Sequence, residues 1–220
     1  MTINIAIDGP AGAGKSTLAK AVAQALHIHY LDTGAMYRAV AYAALKADVD
    51  VKDEAGVSRL LENIDLKTVY EDGEQRMLLA GVNVMPYIRT PEISTAASDI
   101  SALACVRKKL VAMQREVAEQ YDVVLDGRDI GTYVLPDAPH KFFVTAEPHE
   151  RARRRHAELT AKGIDRDYQE VLDEMIKRDA NDSSRALAPL KKADDAILLD
   201  TTHMNIDSAL DAVLSKLRQE

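Results

Sequence analysis

The sequence predicts an α/β fold: a central parallel sheet flanked by helices, with a small antiparallel β insertion and an arginine-rich helical segment late in the chain. Three observations predict it. Ile3, Ile5, Ala6 and Ile7 form a short apolar run that leads through Gly9-Pro10-Ala11-Gly12-Ala13-Gly14-Lys15-Ser16 into a segment with Leu18, Val22 and Leu26 four residues apart. That order is strand, glycine loop, helix. Short apolar runs and helical stripes then alternate along most of the chain. Between residues 66 and 84 the alternation gives way to three β-like runs, 66–70, 76–80 and 82–84, the first two joined by Glu71-Asp72-Gly73-Glu74, whose Asp-Gly marks a hairpin.

The glycine loop reads G-x-x-x-x-G-K-S, a phosphate-binding pattern. Its glycines let backbone N–H groups turn inward around a phosphate, and the following helix N-terminus adds partial positive charge. Residues Gly9, Pro10, Ala11, Gly12, Ala13, Gly14, Lys15, Ser16 and Thr17 are therefore the expected ATP-binding segment. Lys15 reaches the outer phosphates, and the Ser16 hydroxyl is a candidate Mg²⁺ ligand.

The chain has 220 residues, 47% hydrophobic and 29% charged, enough for one domain with a full core. A net charge of −7 disfavours nucleic acid as a partner. The single cysteine, Cys105, excludes an internal disulfide, fits a reducing cytosol and is expected to be a buried small hydrophobe. No apolar run approaches a membrane span, and the N-terminus reads as a core strand rather than a signal peptide. A cytoplasmic monomer with no membrane partner is expected.

A short strand at 29–31 precedes Asp32-Thr33-Gly34-Ala35-Met36-Tyr37-Arg38, where Thr33 starts a helix and Arg38 lies one turn in, off the apolar stripe. Arg38 is either a surface arginine or one aimed, with the helix N-terminus, at a second phosphate. Residues 53–64 form another helix. Arg89-Thr90-Pro91-Glu92 returns the chain to the α/β core, with Thr90 as cap and Pro91 at the first helical position. Ser94, Thr95 and Ser98 follow, hydroxyls that often bond to the backbone. Val106, Leu110, Met113 and Val117 make a helical stripe, with Arg107, Lys108 and Lys109 beside it and expected in solvent.

Residues 122–126 read as a buried strand ending in Asp126, an acid at the rim where α/β proteins bind ligands and a second candidate Mg²⁺ ligand. Gly127-Arg128-Asp129-Ile130-Gly131 is a tight loop that puts Arg128 and Asp129 at that rim. Another strand spans 141–145. Pro148 opens a helix that carries Arg151, Arg154 and Arg155 on one face, with Arg153 beside them. Three cations on one face call for an anion between them, the triphosphate or the transferring group in one reading and solvent in the other. Asp167, with Glu170 three residues on, starts a helix with Val171, Leu172, Met175 and Ile176 as its apolar stripe. Asp179 and Asp182 continue that stripe, flanked by Arg178 and Arg185, and suggest a charged cleft. Ala188-Pro189-Leu190 stops the segment. A last strand covers 196–199. The last helix, with Ile206, Ala209, Leu210, Val213, Leu214 and Leu217, is expected to serve packing only.

One triphosphate loop, a rim carboxylate and two arginine groups suit phosphoryl transfer between two phosphorylated substrates, which needs positioning and charge neutralisation rather than a strong base. The arginine-rich helices suit a mobile lid that excludes water. Ile7-Asp8-Gly9-Pro10, Asp32 through Arg38, Ile88-Arg89-Thr90, Asp126 through Thr132, and Arg178-Asp179 through Asp182 and Arg185 to Leu190 together resemble the bacterial cytidylate kinases, a family of nucleoside monophosphate kinases, over essentially the whole chain. The resemblance implies one domain with a core at about 1–63, 91–150 and 186–220, a monophosphate-binding insertion at about 64–90 and a lid at about 151–185. It implies Mg²⁺-dependent transfer from ATP to CMP or dCMP. Arg38, Arg128 and Arg185 would hold the acceptor phosphate; Ser98, Arg107 and Asp129 would read the base; Asp182, with Arg178, would face the sugar; Thr33 completes the acceptor set. Lys15, Arg128, Arg185 and, from the lid, Arg154 are the expected catalytic groups. Which lid arginine touches the transferred group and which stacks on adenine stays open. Members of the family often carry glycine where this chain has Ser16, so Ser16 is a reasonable metal ligand that catalysis need not require.

Two rival classes remain at this point. A kinase of an unphosphorylated metabolite, shikimate-type, needs one phosphate site, and the second arginine set argues against it. A nucleotide switch is weakened by the absence of a guanine-specifying Asn-Lys-x-Asp segment.

Overall fold

The computed structural model describes residues 2–218. Five strands form one sheet in the order β2-β6-β1-β7-β8 and three form a second, β3-β4-β5, with β1 (Asn4–Asp8), β2 (His29–Asp32), β3 (Leu66–Glu71), β4 (Glu74–Leu79), β5 (Val82–Asn83), β6 (Val123–Asp126), β7 (His140–Thr145) and β8 (Ile197–Asp200). The parallel α/β sheet and the antiparallel insertion are therefore those the sequence predicts. By internal contacts the chain divides into two compact units, each described by itself.

The first unit comprises Ile3–Ile28 and the chain from Val124 on. Strand β1 pairs in parallel with β7, and β7 with β8. Ile5, Ile7, Val124, Leu125 and Val144 are fully buried, as expected for strands covered on both faces. Helix α1 (Lys15–Leu26) buries Leu18 and Val22 and contacts α8 (Ile206–Leu217). Helices α6 (Pro148–Ala161) and α7 (Tyr168–Ser183) pack together through Ala152, Leu159, Val171, Leu172 and Met175, with Ala11 of the glycine loop against the same cluster. Each of these larger side chains contributes about 1.5–3 kcal/mol by burial. Ile176, expected on that stripe, is exposed instead: the buried line of α7 runs from Val171 through Met175 to Asp182, and Ile176 lies beside it. Residues 130–134, after the tight loop, close a π-helical turn rather than an irregular one.

The second unit runs His29–Val123 with Thr2. Its helices are α2 (Thr33–Lys46), α3 (Glu54–Asn63), α4 (Pro91–Ile100) and α5 (Ala104–Gln120). Thr33 begins α2, but the cap is Asp32, whose carboxylate accepts from the Ala35 N–H at 2.8 Å. Thr90 caps α4 with Pro91 at its start, as the sequence indicates. Cys105 is half-buried rather than buried, and partial burial raises its thiol pKa. Arg107, expected in solvent, is 1% exposed. Among the described residues no helix is long and apolar enough to cross a membrane.

Candidate active site

The glycine loop bends where only glycine fits. Gly9 has φ +144°, and a Cβ there would lie 1.9 Å from the Val144 carbonyl oxygen. Gly12, at φ +73°, would drive a Cβ to 2.6 Å from Met175 Cε. Gly14 precedes α1 in the left-handed conformation and offers no side chain to its N–H groups, which leaves them for an anion.

Lys15 is buried, and its Nζ donates to the Pro10 carbonyl at 2.6 Å. Burial pushes its pKa well below the lysine range, and Arg128 adds to the shift while Asp126 and Asp8 oppose it. A triphosphate supplies the anion such an ammonium requires. The Ser16 hydroxyl donates to Asp126 Oδ2 at 2.6 Å, so the two candidate metal ligands meet. A hydroxyl beside a carboxylate is a hard-oxygen donor set of the kind Mg²⁺ takes, and few protein ligands suffice when phosphates supply the rest. No group of three or more His, Cys, Asp or Glu among the described residues is placed to hold a metal by itself.

Arg128 and Arg185 both pair with Asp182, Arg128 through Nε at 2.9 Å, and Asp182 is almost wholly buried. Burial would raise the Asp182 pKa, but Arg128, Arg185 and Arg178 outweigh it and hold the carboxyl below its usual range. The charged cleft expected around Asp182 is thus a buried carboxylate between guanidiniums, with Asp126 and Asp179 also acting on Arg128.

Asp8, at the end of β1, has a structural role that the sequence motifs do not assign. Its carboxylate accepts from the Ile130 N–H at 2.8 Å and the Gly131 N–H at 2.7 Å, which fastens the loop carrying Arg128 and Asp129 to the end of β1. The signal for it was an acid closing an apolar strand, the same signal that singled out Asp126. Burial pushes the Asp8 pKa up to about 7 from 3.8, against the two N–H bonds, with Asp129 also raising it. A folded-state pKa above the unfolded one gives stability that is full below the unfolded value and declines as pH rises through about 7. Denaturant unfolding at pH 6 and pH 8 is expected to show this decline, and Asp8→Asn to remove the part of the slope that belongs to this group.

The arginines of α6 separate into three kinds. Arg151 is buried; its Nη1 donates to Ala11 O at 3.0 Å and to Asp179 Oδ2 at 2.5 Å, and its Nε to Ala146 O. Asp179 also accepts from the Ala11 N–H at 3.3 Å, so this pair grips the loop. Arg153 and Arg155 pair with Glu150 and Glu158 near the surface. Arg154 bonds Glu150 at 2.8 Å and the Thr201 carbonyl at 2.6 Å and lines a cavity of about 180 Å³ with Gly14, Thr17, Thr201, Met204 and Ile206. The anions between the three cations are carboxylates of the same unit. Ile206 and Ala209 line that cavity too, so the last helix does more than pack. Thr201, which also donates to the Thr145 carbonyl, gave no sequence signal. A larger cavity of about 380 Å³, beside Glu147, His149 and Tyr168, includes no loop residue in its lining.

In the other unit, Arg38 and Arg89 each donate through Nη2 to the same oxygen, Oδ2 of Asp32, at 2.8 Å. Burial would raise the Asp32 pKa, but the two guanidiniums hold it low. One carboxylate against two cations leaves a positive charge, and the buried Arg38 Nε has no hydrogen bond among the described residues. Gly34 makes room: a Cβ there would sit 3.0 Å from the Arg38 guanidinium. Asp32 and Arg89 went unassigned from sequence, although both lie within the quoted motifs. Thr33 is buried at the start of α2. Arg107 lies over the Tyr37 ring, 5.8 Å from its centroid, and Nη1 reaches Ser101 O at 3.4 Å. Ser98 is half-buried on α4, near the break before α5. The Ser94 and Thr95 hydroxyls donate to the backbone, at Thr90 O and Pro91 O.

Comparison with known proteins gives the family of the chain. Residues 5–219 match the family model for cytidylate kinase. A cytidylate kinase of Carboxydothermus hydrogenoformans is 50% identical over 96% of this chain and 96% of that protein. One of Halalkalibacterium halodurans is 48% identical over 99% and 98%. Shikimate kinase from Bacteroides thetaiotaomicron superposes with a TM-score of 0.50 over both whole chains at 17% identity, a likeness of fold alone. With half of its residues shared along nearly its full length and its nucleotide loop built as described, the chain belongs to the cytidylate kinase family of ATP-dependent nucleoside monophosphate kinases.

Proposed function

We propose that the protein transfers the γ-phosphoryl group of ATP to CMP or dCMP, giving CDP or dCDP and ADP, with Mg²⁺ bound beside Ser16 and Asp126. The observation that carries this reading is the pairing of Arg128 and Arg185 on one buried carboxylate, with Lys15 in the same unit feeling the Arg128 charge. Such a group suits an acceptor that itself bears a phosphate. The relatives' name supports CMP as that acceptor.

The acceptor phosphate is already ionised, so no general base is required. Backbone N–H groups of residues 12–17 and the Lys15 ammonium hold the donor's outer phosphates, while Gly9, Pro10 and Ala11 shape the loop around them. Bound Mg²⁺ would neutralise charge between donor phosphates. Arg128, Arg185 and Arg38 hold the acceptor phosphate against electrostatic repulsion, and the ion pairs with Asp182 and Asp32 preorganise them. Arg154, fixed at the cavity beside Gly14, is assigned to the donor nucleotide on its adenine side, in place of the catalytic role that the resemblance implies for it.

Asp129, with Ser98 and Arg107, reads the base; Arg178 and Asp182 serve the sugar; Thr33 completes the acceptor set. The N4 amino group of cytosine donates, and a carboxylate accepts from it, whereas uracil presents an oxygen there. Asp129→Ala is therefore expected to lower CMP-over-UMP selectivity by at least about tenfold with KM for ATP little changed. Competing CMP and UMP at fixed ATP measures this, and unaltered selectivity would remove Asp129 from base reading. The reading includes a monomer acting in the cytoplasm, for which a lone, half-buried cysteine is suited.

A further inference from the structure

The insertion sheet contributes none of the residues assigned above to either nucleotide, yet one of its side chains holds Asp32, the carboxylate that Arg38 and Arg89 share. Gln75 on β4 is 6% exposed. Its Oε1 accepts from the Asp32 backbone N–H at 2.7 Å, and its Nε2 donates to the Asp32 backbone carbonyl at 3.3 Å and to Met77 Sδ at 3.4 Å. The side-chain amide thus acts as a one-residue strand partner at the end of β2, where the chain turns into α2.

Asp32 is the residue whose placement matters most in that unit. Its Oδ1 caps α2, and its Oδ2 receives both Arg38 and Arg89. Every polar group of Asp32 is engaged, the backbone pair by Gln75 and the carboxylate by the cap and the two arginines. The insertion is held to β2 at a second point as well. Tyr70, directly across the hairpin from Gln75, donates its hydroxyl to the Tyr30 carbonyl at 3.3 Å. Cross-strand partners share a face, so one face of the β3–β4 hairpin grips alternate residues of β2, Tyr30 and Asp32.

We propose that Gln75 is a positioning residue for the acceptor phosphate: by fixing the Asp32 backbone it fixes the carboxylate that aims Arg38 and Arg89. The insertion sheet then serves to set this arginine pair. A buried amide is a demanding choice for mere packing, since each of its polar atoms is costly unless paired. The inference rests on Arg38 holding the acceptor phosphate.

Gln75→Leu, which keeps bulk and removes both bonds, is expected to raise KM for CMP about tenfold with KM for ATP and kcat within about twofold. In an Arg38→Ala background the same substitution is expected to add little, because both act through one contact. A Gln75→Leu protein with lowered melting temperature but unchanged KM for CMP overturns the proposal, as does an effect that adds in full to Arg38→Ala. If Arg38→Ala itself leaves KM for CMP unchanged, it is the phosphate assignment that fails. Should Gln75→Leu not fold, Gln75→Glu keeps the acceptor for the Asp32 N–H but sets an oxygen against the Asp32 carbonyl. The same selective rise in KM for CMP is then expected, and its absence counts against the proposal.

Discussion

Lys15→Ala is expected to lower kcat by about a thousandfold or more, while Ser16→Ala keeps measurable turnover. The two side chains are adjacent on α1, but their situations differ. The Lys15 ammonium is buried, tethered to Pro10 O, and already shifted toward neutrality by burial, so it gains most when phosphate charge arrives and spreads during transfer. Alanine leaves a loop that still offers its N–H groups but no mobile cation. The Ser16 hydroxyl, by contrast, bonds Asp126, which stays in place when the hydroxyl goes. Mg²⁺ binds mainly through substrate phosphates and water, so one lost hydroxyl is tolerable. Steady-state rates at saturating ATP, CMP and Mg²⁺ decide the matter; equal collapse of both variants contradicts this division of roles.

Asp182→Ala is expected to cost about 3–5 kcal/mol of stability and to abolish CMP turnover. The carboxylate is almost wholly buried and answers both Arg128 and Arg185. Its removal leaves two guanidiniums, each largely out of water, without the carboxylate they share, and only the charges of Asp126 and Asp179 then act on Arg128. Urea unfolding of the two proteins, with the slope compared to confirm that the same surface is exposed, measures the loss. A loss below about 1 kcal/mol would mean that water relieves the guanidiniums and that the pair is not the rigid clamp described. The sign with pH follows from its lowered pKa: this stability is present above the ordinary carboxylate range and is lost as pH falls through the folded value.

Local patterns were the most legible part of the chain. Strand, glycine loop and helix at 4–26, the Asp-Gly hairpin and the Thr90-Pro91 helix start each depend on residues near one another, and the structure has them where the sequence puts them. Legibility fell where partners lie far apart in sequence. Arg107 looked like a surface cation because its neighbours Lys108 and Lys109 are charged; Tyr37, Ser101 and its helix position make it a buried one. The α6 cations call from sequence for a ligand's anion or for solvent, but Glu150, Glu158 and Asp179 answer them within the unit. Asp8, Asp32, Asp179 and Gln75 escaped assignment because their work is done on backbone groups and guanidiniums that no periodicity links to them. For the site, the motifs supplied most of the residues proposed to touch phosphate, and the structure supplies the side chains that hold them in place.

The most direct test of the account is ADP formation by the purified protein with ATP and Mg²⁺, comparing CMP, dCMP, UMP, AMP, shikimate and no acceptor. Turnover that depends on CMP or dCMP and falls well below it with UMP is the predicted result. ADP formation with no acceptor, or preference for AMP or shikimate, would contradict it.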